Sequence, residues 1–297
     1  MKRTAQRHHE SIDGYLPLWE TEPKQEVSIR DSRIFTGDAL SVLKQLPDKF
    51  VSCIVTSPPY WGLRDYHIAS QIGLEPLLED YIRAVVAVFR EARRVLRDDG
   101  TFWLNIGDGY TSGNRKWRAP DKKNPARAMN VRPDTPDGLK PKDLLGIPWR
   151  LAFALQRDGW YLREDIIWNK PNAMPESVKD RPSKSHEYIF LLSKSENYFY
   201  DSESIKEDAC NGKKRNKRSV WNVNIQGFNG AHFATFPIDL ILPCIKAGSR
   251  ENEYVLDPFF GAGTVGVACN ILKRKYIGIE LNPEYVAIAE ERLSSLF

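Results

Sequence analysis

The ten residues "DPFFGAGTVG", at positions 257–266, decide the fold of this chain. They follow the apolar run Tyr254-Val255-Leu256 and precede a stretch of small and apolar residues. Gly261, Gly263 and Gly266 fit the template G-x-G-x-x-G, in which glycines let the backbone turn tightly and approach a ligand. The pattern predicts a strand, a glycine loop and a helix, the nucleotide-binding unit of an open α/β sheet.

An acidic residue stands where such a unit binds ribose. Glu280 ends the next apolar run, roughly 20 residues beyond the first glycine, and a carboxylate there accepts hydrogen bonds from ribose hydroxyls. Asp257, just ahead of the loop, would repel a pyrophosphate and attract an ammonium group. These charges favour an α-amino acid bonded to adenosine over NAD. There are two alternatives to this nucleoside site. The glycines can form a purely structural turn that an acidic residue follows by chance, or, more remotely, the chain can be an NAD-dependent oxidoreductase.

Short β-like runs alternate with helical runs through the rest of the chain. The strands are expected at 33–35, 50–55, 101–106, 188–192, 254–256 and 276–279, and the helices at 38–46, 77–96, 237–247, 264–272 and from 283. Further helix and strand lie between 143 and 168. This alternation predicts an α/β fold with a doubly wound, mostly parallel sheet. The order is permuted, because the nucleotide unit comes last.

The composition indicates an ordinary globular protein. Of its 297 residues 41% are hydrophobic and 28% are charged, and no apolar run approaches the ~20 residues of a membrane span. The polar start lacks a secretory signal, so we expect a soluble, cytoplasmic protein. Its four cysteines show no paired spacing, and we therefore expect neither a metal site nor disulfides.

A second unusual stretch, "TSPPYW" at 56–61, follows the predicted strand at 50–55. The carboxyl ends of parallel strands share one crevice, so this stretch should lie beside the nucleoside. Its prolines make a stiff arc and remove two N–H donors. Ser57 and the backbone carbonyls, notably that of Pro58, therefore offer acceptors suited to an amino group, and Tyr60 offers a stacking face.

The tetrapeptide and the glycine loop together resemble the DNA amino-methyltransferases of restriction-modification systems. These enzymes transfer a methyl group from S-adenosylmethionine to the exocyclic amino nitrogen of cytosine or adenine. The tetrapeptide comes first and the loop near the end, which is similar to the family's β class with its Rossmann-like fold. The resemblance runs from about Arg33 to the last residue.

The resemblance implies a role for each matching position. The catalytic tetrapeptide is Ser57, Pro58, Pro59 and Tyr60. The cofactor-binding positions are Asp38, Asp257, Phe259, Gly261, Gly263, Thr264, Glu280 and Asn282. Among these, Asp38 resembles the acid that meets the cofactor's adenine. Tyr60, together with Trp61 or Phe259, is a candidate to face the sulfonium cation. The segment 232–237, "HFATFP", departs from the commoner family form, which has proline after the histidine.

The resemblance also implies the reaction. Serine at the first tetrapeptide position favours the N4 amino group of cytosine, with adenine N6 as the alternative. Ser57 and the Pro58 carbonyl accept the two N–H bonds, and the nitrogen attacks the methyl group directly and in line. No cysteine nucleophile is expected, because Cys53 lies inside a strand. The base must be flipped out of duplex DNA to reach the site.

Two basic segments are candidates to bind that DNA. The denser one contributes Lys213, Lys214, Arg215, Lys217 and Arg218, and residues 115–127 form the other. Such runs are often only solvated loops, but phosphate contacts are the functional interpretation. We divide the chain into a leader (1–31), a catalytic half (32–200, with a basic insertion at 108–142), a target-recognition segment (201–231) and a cofactor-binding half (232–297).

The expected partners are double-stranded DNA and a cognate restriction endonuclease that acts on the same site. A non-catalytic DNA-binding module is a third alternative, which an intact cofactor loop disfavours. The histidines His67, His186 and His232 offer no obvious proton-transfer site for an oxidoreductase. Neither a membrane partner nor a particular oligomeric state is indicated.

Overall fold

The computed structural model describes residues 31–66, 68, 70–111, 133–210, 212–226 and 236–295. Residues 1–30 of the predicted leader, most of the basic insertion with the basic segment 115–127, and His67 therefore lie outside the described residues. So do residues 211 and 227–231 of the predicted target-recognition segment and residues 232–235 of the "HFATFP" segment. Within the described ranges, no helix has both the length and the apolar character to cross a membrane.

Strands and helices alternate along the chain. The strands are β1 Arg33–Thr36, β2 Val51–Thr56, β3 Leu96–Ile106, β4 Tyr161–Asn169, β5 His186–Ser193, β6 Glu207–Asp208, β7 Lys214–Arg215, β8 Val220–Asn222, β9 Tyr254–Asp257 and β10 Lys275–Glu280. The helices are α1 Ala39–Leu43, α2 Leu78–Val95, α3 Ile147–Arg157, α4 Ile238–Gly248, α5 Thr264–Ile271 and α6 Pro283–Ser294.

The main sheet has the strand order β1-β10-β9-β2-β3-β5-β4-β8 in the described part of the chain. All its neighbours are parallel except β5, which runs antiparallel to both β3 and β4. The predicted mostly parallel sheet is therefore confirmed. The permuted order is visible in β1 and β10, where Arg33 pairs with Ile277.

Helices cover both faces of this sheet. Successive residues of a strand point to opposite faces, and accordingly Ile54 and Val55 of β2 belong to different buried clusters. The cluster around Ile54 contains residues of α1, α2 and α3, and the cluster around Val55 contains residues of α4, α5 and α6. Two hydrophobic layers on one sheet make the fold doubly wound, as predicted.

Helix α2 shows how local sequence sets one of these layers. Its buried residues include Tyr81, Val85, Phe89 and Ala92, a spacing that forms one apolar stripe on a helix. Acidic residues occupy its first turn and basic residues its last, which complements the helix dipole.

The predicted start of the strand at 101–106 was wrong, because β3 begins at Leu96, directly after α2. Ion pairs of Asp98 with Lys49 (2.6 Å) and Lys194 (3.2 Å) compensate its charge there, and the register with β2 shifts across this stretch. No strand is predicted in the segment 201–231, and the structure places β8 there, which pairs with β4 at the sheet edge and buries Trp221. A three-residue strand is too short to show a clear alternation.

Gly278 of β10 provides a test of the packing beneath the glycine loop. A Cβ atom at this buried position would lie 2.4 Å from Cγ of Phe260. We expect Gly278→Ala to lower the free energy of unfolding by about 1–3 kcal/mol because the core must shift to admit the methyl group. Urea unfolding measures this loss. The control Gly109→Ala, whose Cβ would come no nearer than 3.5 Å to Leu145, should unfold within about 1 kcal/mol of the wild type.

Candidate active site

Four neighbouring strands end at one cavity of about 550 Å³, within the ~300–1,000 Å³ typical of ligand sites. In sheet order these strands are β1, β10, β9 and β2. The segments that follow them contribute cavity-lining residues, including Gly37, Asp38, Ser57, Pro58, Pro59, Tyr60, Asp257, Phe259, Gly261, Thr264, Glu280 and Asn282. The structure therefore brings the predicted catalytic tetrapeptide and the predicted cofactor residues together.

Asp257 ends β9 at the floor of the cavity. It is 1% exposed, and its Oδ1 accepts hydrogen bonds from Thr56 Oγ1 (2.5 Å) and the Phe259 N–H (3.0 Å). Burial raises the pKa of this carboxyl to about 7, and the charge of Glu280 adds to the rise, against the two hydrogen bonds. The strand tip thus holds a carboxyl group that titrates near neutrality.

The glycine loop is tied to the strand tip of β10 by Glu280. Its Oε2 accepts from the Gly261 N–H and its Oε1 from the Asn282 N–H, both at 2.8 Å. Burial raises the pKa of Glu280, partly offset by these backbone donors. The side chain of Asn282 caps α6 by accepting from the Glu284 N–H (2.9 Å). Glu280 therefore fixes two loops and still has lone pairs for a ligand.

The glycines of the loop have different surroundings. Gly261 has φ +52° and open space where a Cβ would be, so its backbone can approach a ligand. Gly263 has φ +77° and does not line the cavity; a Cβ there would lie 3.0 Å from Cβ of Ala289. At Gly266 a Cβ would lie 2.9 Å from Phe260. The second and third glycines thus serve the turn and the packing of α5 against α6.

Asp38 lines the cavity and is the N-cap of α1. Its Oδ1 accepts from the Ser41 N–H at 2.9 Å, which satisfies one of the free donors of the first helical turn. The Gly37 N–H donates to the Glu280 carbonyl oxygen at 2.8 Å. This bond holds the β1 tip against the β10 tip, so Asp38 and Glu280 line the same cavity.

The tetrapeptide forms a rim of the cavity in which the carbonyls of Pro58 and Pro59 differ in their hydrogen bonding. Tyr81 Oη donates to the Pro59 carbonyl at 2.9 Å, while no hydrogen bond to the Pro58 carbonyl occurs among the described residues. Ser57 Oγ donates to Tyr60 Oη at 3.4 Å. Trp61 is turned away, because it is 7% exposed and its Nε1 donates to the Glu75 carbonyl (2.8 Å). The cavity therefore receives Ser57 and Tyr60 but not Trp61.

A polar cluster that sequence reasoning missed supports this rim. Tyr60 Oη donates to Glu187 Oε2 at 2.8 Å, and Asn105 Nδ2 donates to the same oxygen at 3.2 Å. Lys170 forms an ion pair with Glu187 Oε1 and lies 4.1 Å from the ring centroid of Trp168. No short motif marks these residues, which come from three different strands or strand ends; the only signal was a polar start to the apolar run of β5.

The dense basic run lies away from the cavity, on the β6–β7 hairpin and the approach to β8. Lys214 pairs with Asp208 at 2.6 Å and Arg215 with Glu207 at 2.9 Å. Lys217 lies 4.8 Å from the ring centroid of Trp221. Part of this positive charge is therefore already compensated within the protein. Among the described residues, no group of three or more His, Cys, Asp or Glu side chains is suited to hold a metal ion.

Comparison with known proteins agrees with this geometry. A model of the N6/N4 DNA methylase family matches residues 51–291. The type II methyltransferase M.Cfr9I of Citrobacter freundii is 66% identical over 276 residues, covering 93% of this chain and 91% of its own length.

Two solved structures share the fold. The cytosine-N4-specific PvuII DNA methyltransferase has a TM-score of 0.66 at 21% identity, covering 90% of this chain and 91% of its own. A Thermus thermophilus protein complexed with S-adenosyl-L-methionine has a TM-score of 0.61 at 23% identity, covering 89% and 93%. The family match excludes the oxidoreductase and non-catalytic alternatives. The chain belongs to the N6/N4 DNA methylase family and is a DNA methyltransferase of the type II, restriction-modification kind.

Proposed function

We propose that this protein methylates the exocyclic N4 amino group of cytosine in duplex DNA, with S-adenosylmethionine as the methyl donor. The observation that carries the proposal is the single cavity shared by the Ser57–Tyr60 rim and the Asp257–Thr264 loop. Ser57, in place of an acidic residue, favours cytosine over adenine. Adenine N6 is the alternative, since both amino groups need the same acceptors.

The cavity suits the proposed donor. Gly261 leaves open space beside the loop, and Glu280 offers carboxylate lone pairs to ribose hydroxyls. Asp257, when ionised, attracts an ammonium group. The net charge of the bound S-adenosylmethionine is positive, which matches the acidic side chains Asp38, Asp257 and Glu280 around it.

The protein's part in the reaction is to position and polarise the amino group. S-adenosylmethionine supplies an electrophilic methyl group on its sulfonium. Ser57 Oγ and the Pro58 carbonyl accept the two N–H bonds of the flipped base, which lets the nitrogen become pyramidal and direct its lone pair at the methyl carbon. Tyr60 offers its ring to the base. Such preorganised acceptors need no rearrangement during the reaction.

DNA recognition is assigned to segment 201–231, between the catalytic and cofactor-binding halves. Lys213, Lys214, Arg215, Lys217 and Arg218 are proposed to contact phosphates. Lys214 and Arg215 would exchange their present carboxylate partners for phosphate oxygens. The base must leave the duplex to reach the cavity, which unstacks it at a cost of a few kcal/mol. We also infer a cognate restriction endonuclease acting on the same site.

The test of the proposed function is the identity of the methylated nucleoside. Unmethylated genomic DNA is incubated with the protein and S-adenosylmethionine, digested to nucleosides and measured by mass spectrometry. N4-methylcytosine is expected. N6-methyladenine in its place would establish the alternative. The absence of both methylated nucleosides would overturn the proposal.

The affinity for S-adenosylmethionine is expected to rise with pH. The pKa of Asp257 is raised to about 7, so the fraction able to attract the ammonium group grows between pH 6 and pH 7.5. Calorimetric titration should show an affinity gain of about fivefold to tenfold over this range, and Asp257→Asn should remove most of it.

The same carboxyl affects folding with the opposite sign. Because its folded pKa is raised, the native state binds its proton more tightly, and Asp257 contributes most stability at low pH. Without cofactor, this contribution to the free energy of unfolding falls as pH rises from about 3.8 to about 7.

The affinity measurement can also contradict the assignment of Asp257. An affinity of the wild type for S-adenosylmethionine that does not change between pH 6 and pH 7.5 would do so.

A further inference from the structure

Glu187 ends a directed chain of hydrogen bonds that begins at the catalytic rim. Ser57 Oγ donates to Tyr60 Oη at 3.4 Å, and Tyr60 Oη donates to Glu187 Oε2 at 2.8 Å. Each of these hydroxyl groups thus uses its own proton in a hydrogen bond to a protein group. The Ser57 oxygen therefore keeps its lone pairs for the base, and each hydroxyl proton already points toward the carboxylate.

The carboxylate at the end of this chain is well held. Asn105 Nδ2 donates to Glu187 Oε2 (3.2 Å) and to the Tyr188 carbonyl (3.1 Å). Lys170 contacts the other oxygen, Oε1, and the side chains of Lys170 and Glu187 are 14% and 18% exposed. Glu187 is thus held in a fixed position and lines the same cavity as Ser57.

Methyl transfer to an amino group creates a proton that must leave. The nitrogen lone pair forms the bond to the methyl carbon as the carbon–sulfur bond breaks and its electron pair stays on sulfur. The nitrogen, which carries two hydrogens, develops positive charge as its bond to the methyl carbon forms. One N–H bond breaks in the same step, with its electrons returning to nitrogen, so that the neutral methylated base is formed.

We propose that Glu187 is the final acceptor of this proton, which reaches it through Ser57 and Tyr60. The amino proton passes to Ser57 Oγ as the Ser57 proton passes to Tyr60 Oη and the Tyr60 proton passes to Glu187 Oε2. Ser57 and Tyr60 end the step unchanged and Glu187 ends it neutral, so all protons and charges balance. This role rests on the proposed function of the rim and applies to either base.

Two properties of Tyr60 suit it to relay the proton without ionising. Burial raises its pKa well above the ordinary value, and the negative charge of Glu187 raises it further, so the phenol stays protonated at neutral pH. The 3.4 Å contact from Ser57 is long for a hydroxyl pair. Catalytic hydrogen bonds are often long without substrate and tighten in the complex.

The first experiment separates proton acceptance from simple support of Tyr60. Glu187→Gln keeps an oxygen to accept from Tyr60 but cannot take a proton at neutral pH. Single-turnover transfer of tritiated methyl groups to genomic DNA, at saturating S-adenosylmethionine, should fall by about 10²-fold or more, with cofactor affinity unchanged. Glu91→Gln, which removes an ion pair with Arg94 (2.8 Å) in helix α2, is the matched control and should keep the wild-type rate.

The pH profile and a double variant supply readouts that a supporting role would not change. Protonation of Glu187 should reduce the wild-type rate at low pH, and Glu187→Gln should lose this inflection. The other titratable groups around Glu187 are Tyr60, Lys170, Lys184, His186 and Asp108. Because the inflection in the rate is assigned to Glu187 and not to its neighbour His186, the variant His186→Gln should keep it. Because Tyr60→Phe breaks the same relay, the variant with both changes should be no slower than the slower single variant.

The wild-type protein gives an independent check should Glu187→Gln fail to fold. The single-turnover rate is measured in mixtures of H₂O and D₂O. As the D₂O fraction rises, the rate should fall along a curve instead of a straight line, because several protons move in the same step. A wild-type rate and pH profile in Glu187→Gln would overturn the proposal, as would the absence of a solvent isotope effect in the wild type. Nucleoside analysis of the wild-type product reports separately on the proposed function, so the two failures are distinguishable.

Discussion

Replacing Ser57 by alanine should lower the single-turnover rate of methyl transfer by about 10²–10³-fold, the usual cost of removing one preorganised polar group that acts on the transition state. Ser57 is the only side-chain acceptor that the four-residue rim offers to the amino group besides the Tyr60 hydroxyl, which donates to Glu187. Its loss removes both the acceptor and the first step of the proton path.

The affinity for S-adenosylmethionine should remain within about threefold of the wild type in Ser57→Ala, because the hydrogen bonds of the cofactor loop are made by Glu280 and Asp257. Ser57→Thr is the matched control: it keeps a hydroxyl and tolerates the extended backbone before proline, so it should retain a measurable fraction of the rate. Full activity in Ser57→Ala would show that the rim does not act on the amino group.

Replacing Glu280 by alanine should weaken the binding of S-adenosylmethionine by at least about 100-fold. The carboxylate holds the N–H groups of Gly261 and Asn282, each at 2.8 Å, and is proposed to bind ribose. Hydrogen bonds to a charged group contribute ~1.5–3 kcal/mol each, and each 1.4 kcal/mol is about tenfold in affinity. Loss of the ribose contacts and of the loop geometry together accounts for the expected effect.

Calorimetric titration measures the effect of Glu280→Ala, and thermal unfolding without cofactor shows whether the variant is folded. Glu284→Ala is the control, since Glu284 is an exposed acid in the first turn of α6, close in sequence to Glu280. It should bind S-adenosylmethionine as the wild type does. Equal affinities for Glu280→Ala and Glu284→Ala would contradict the assignment of Glu280.

Local motifs made the position of the candidate cofactor site predictable from sequence. The strand, glycine loop and helix at 254–271 form from neighbouring residues, and Glu280 ends the very next strand. The tetrapeptide was placed beside them by a general property of parallel sheets, whose strand tips share one edge. The fold class followed from the same alternation of strands and helices.

Contacts between distant residues were not predictable in this way. The bond from Tyr60 to Glu187 joins positions 127 residues apart, and it depends on β5 entering the sheet antiparallel between β3 and β4. Nothing in the sequence of β5 distinguishes that direction from the parallel one. The same limit applies to Gly263, whose role in packing is evident only when Ala289 of α6 is placed against it.

The methyl group is proposed to pass directly from the cofactor sulfur to the base nitrogen inside the cavity that Ser57 and Asp257 line. S-adenosylmethionine with a methyl group made chiral by hydrogen, deuterium and tritium tests this claim. One in-line displacement predicts inversion of the methyl configuration in the methylated nucleoside. Retention would require two successive transfers through a methylated protein side chain and would contradict the account.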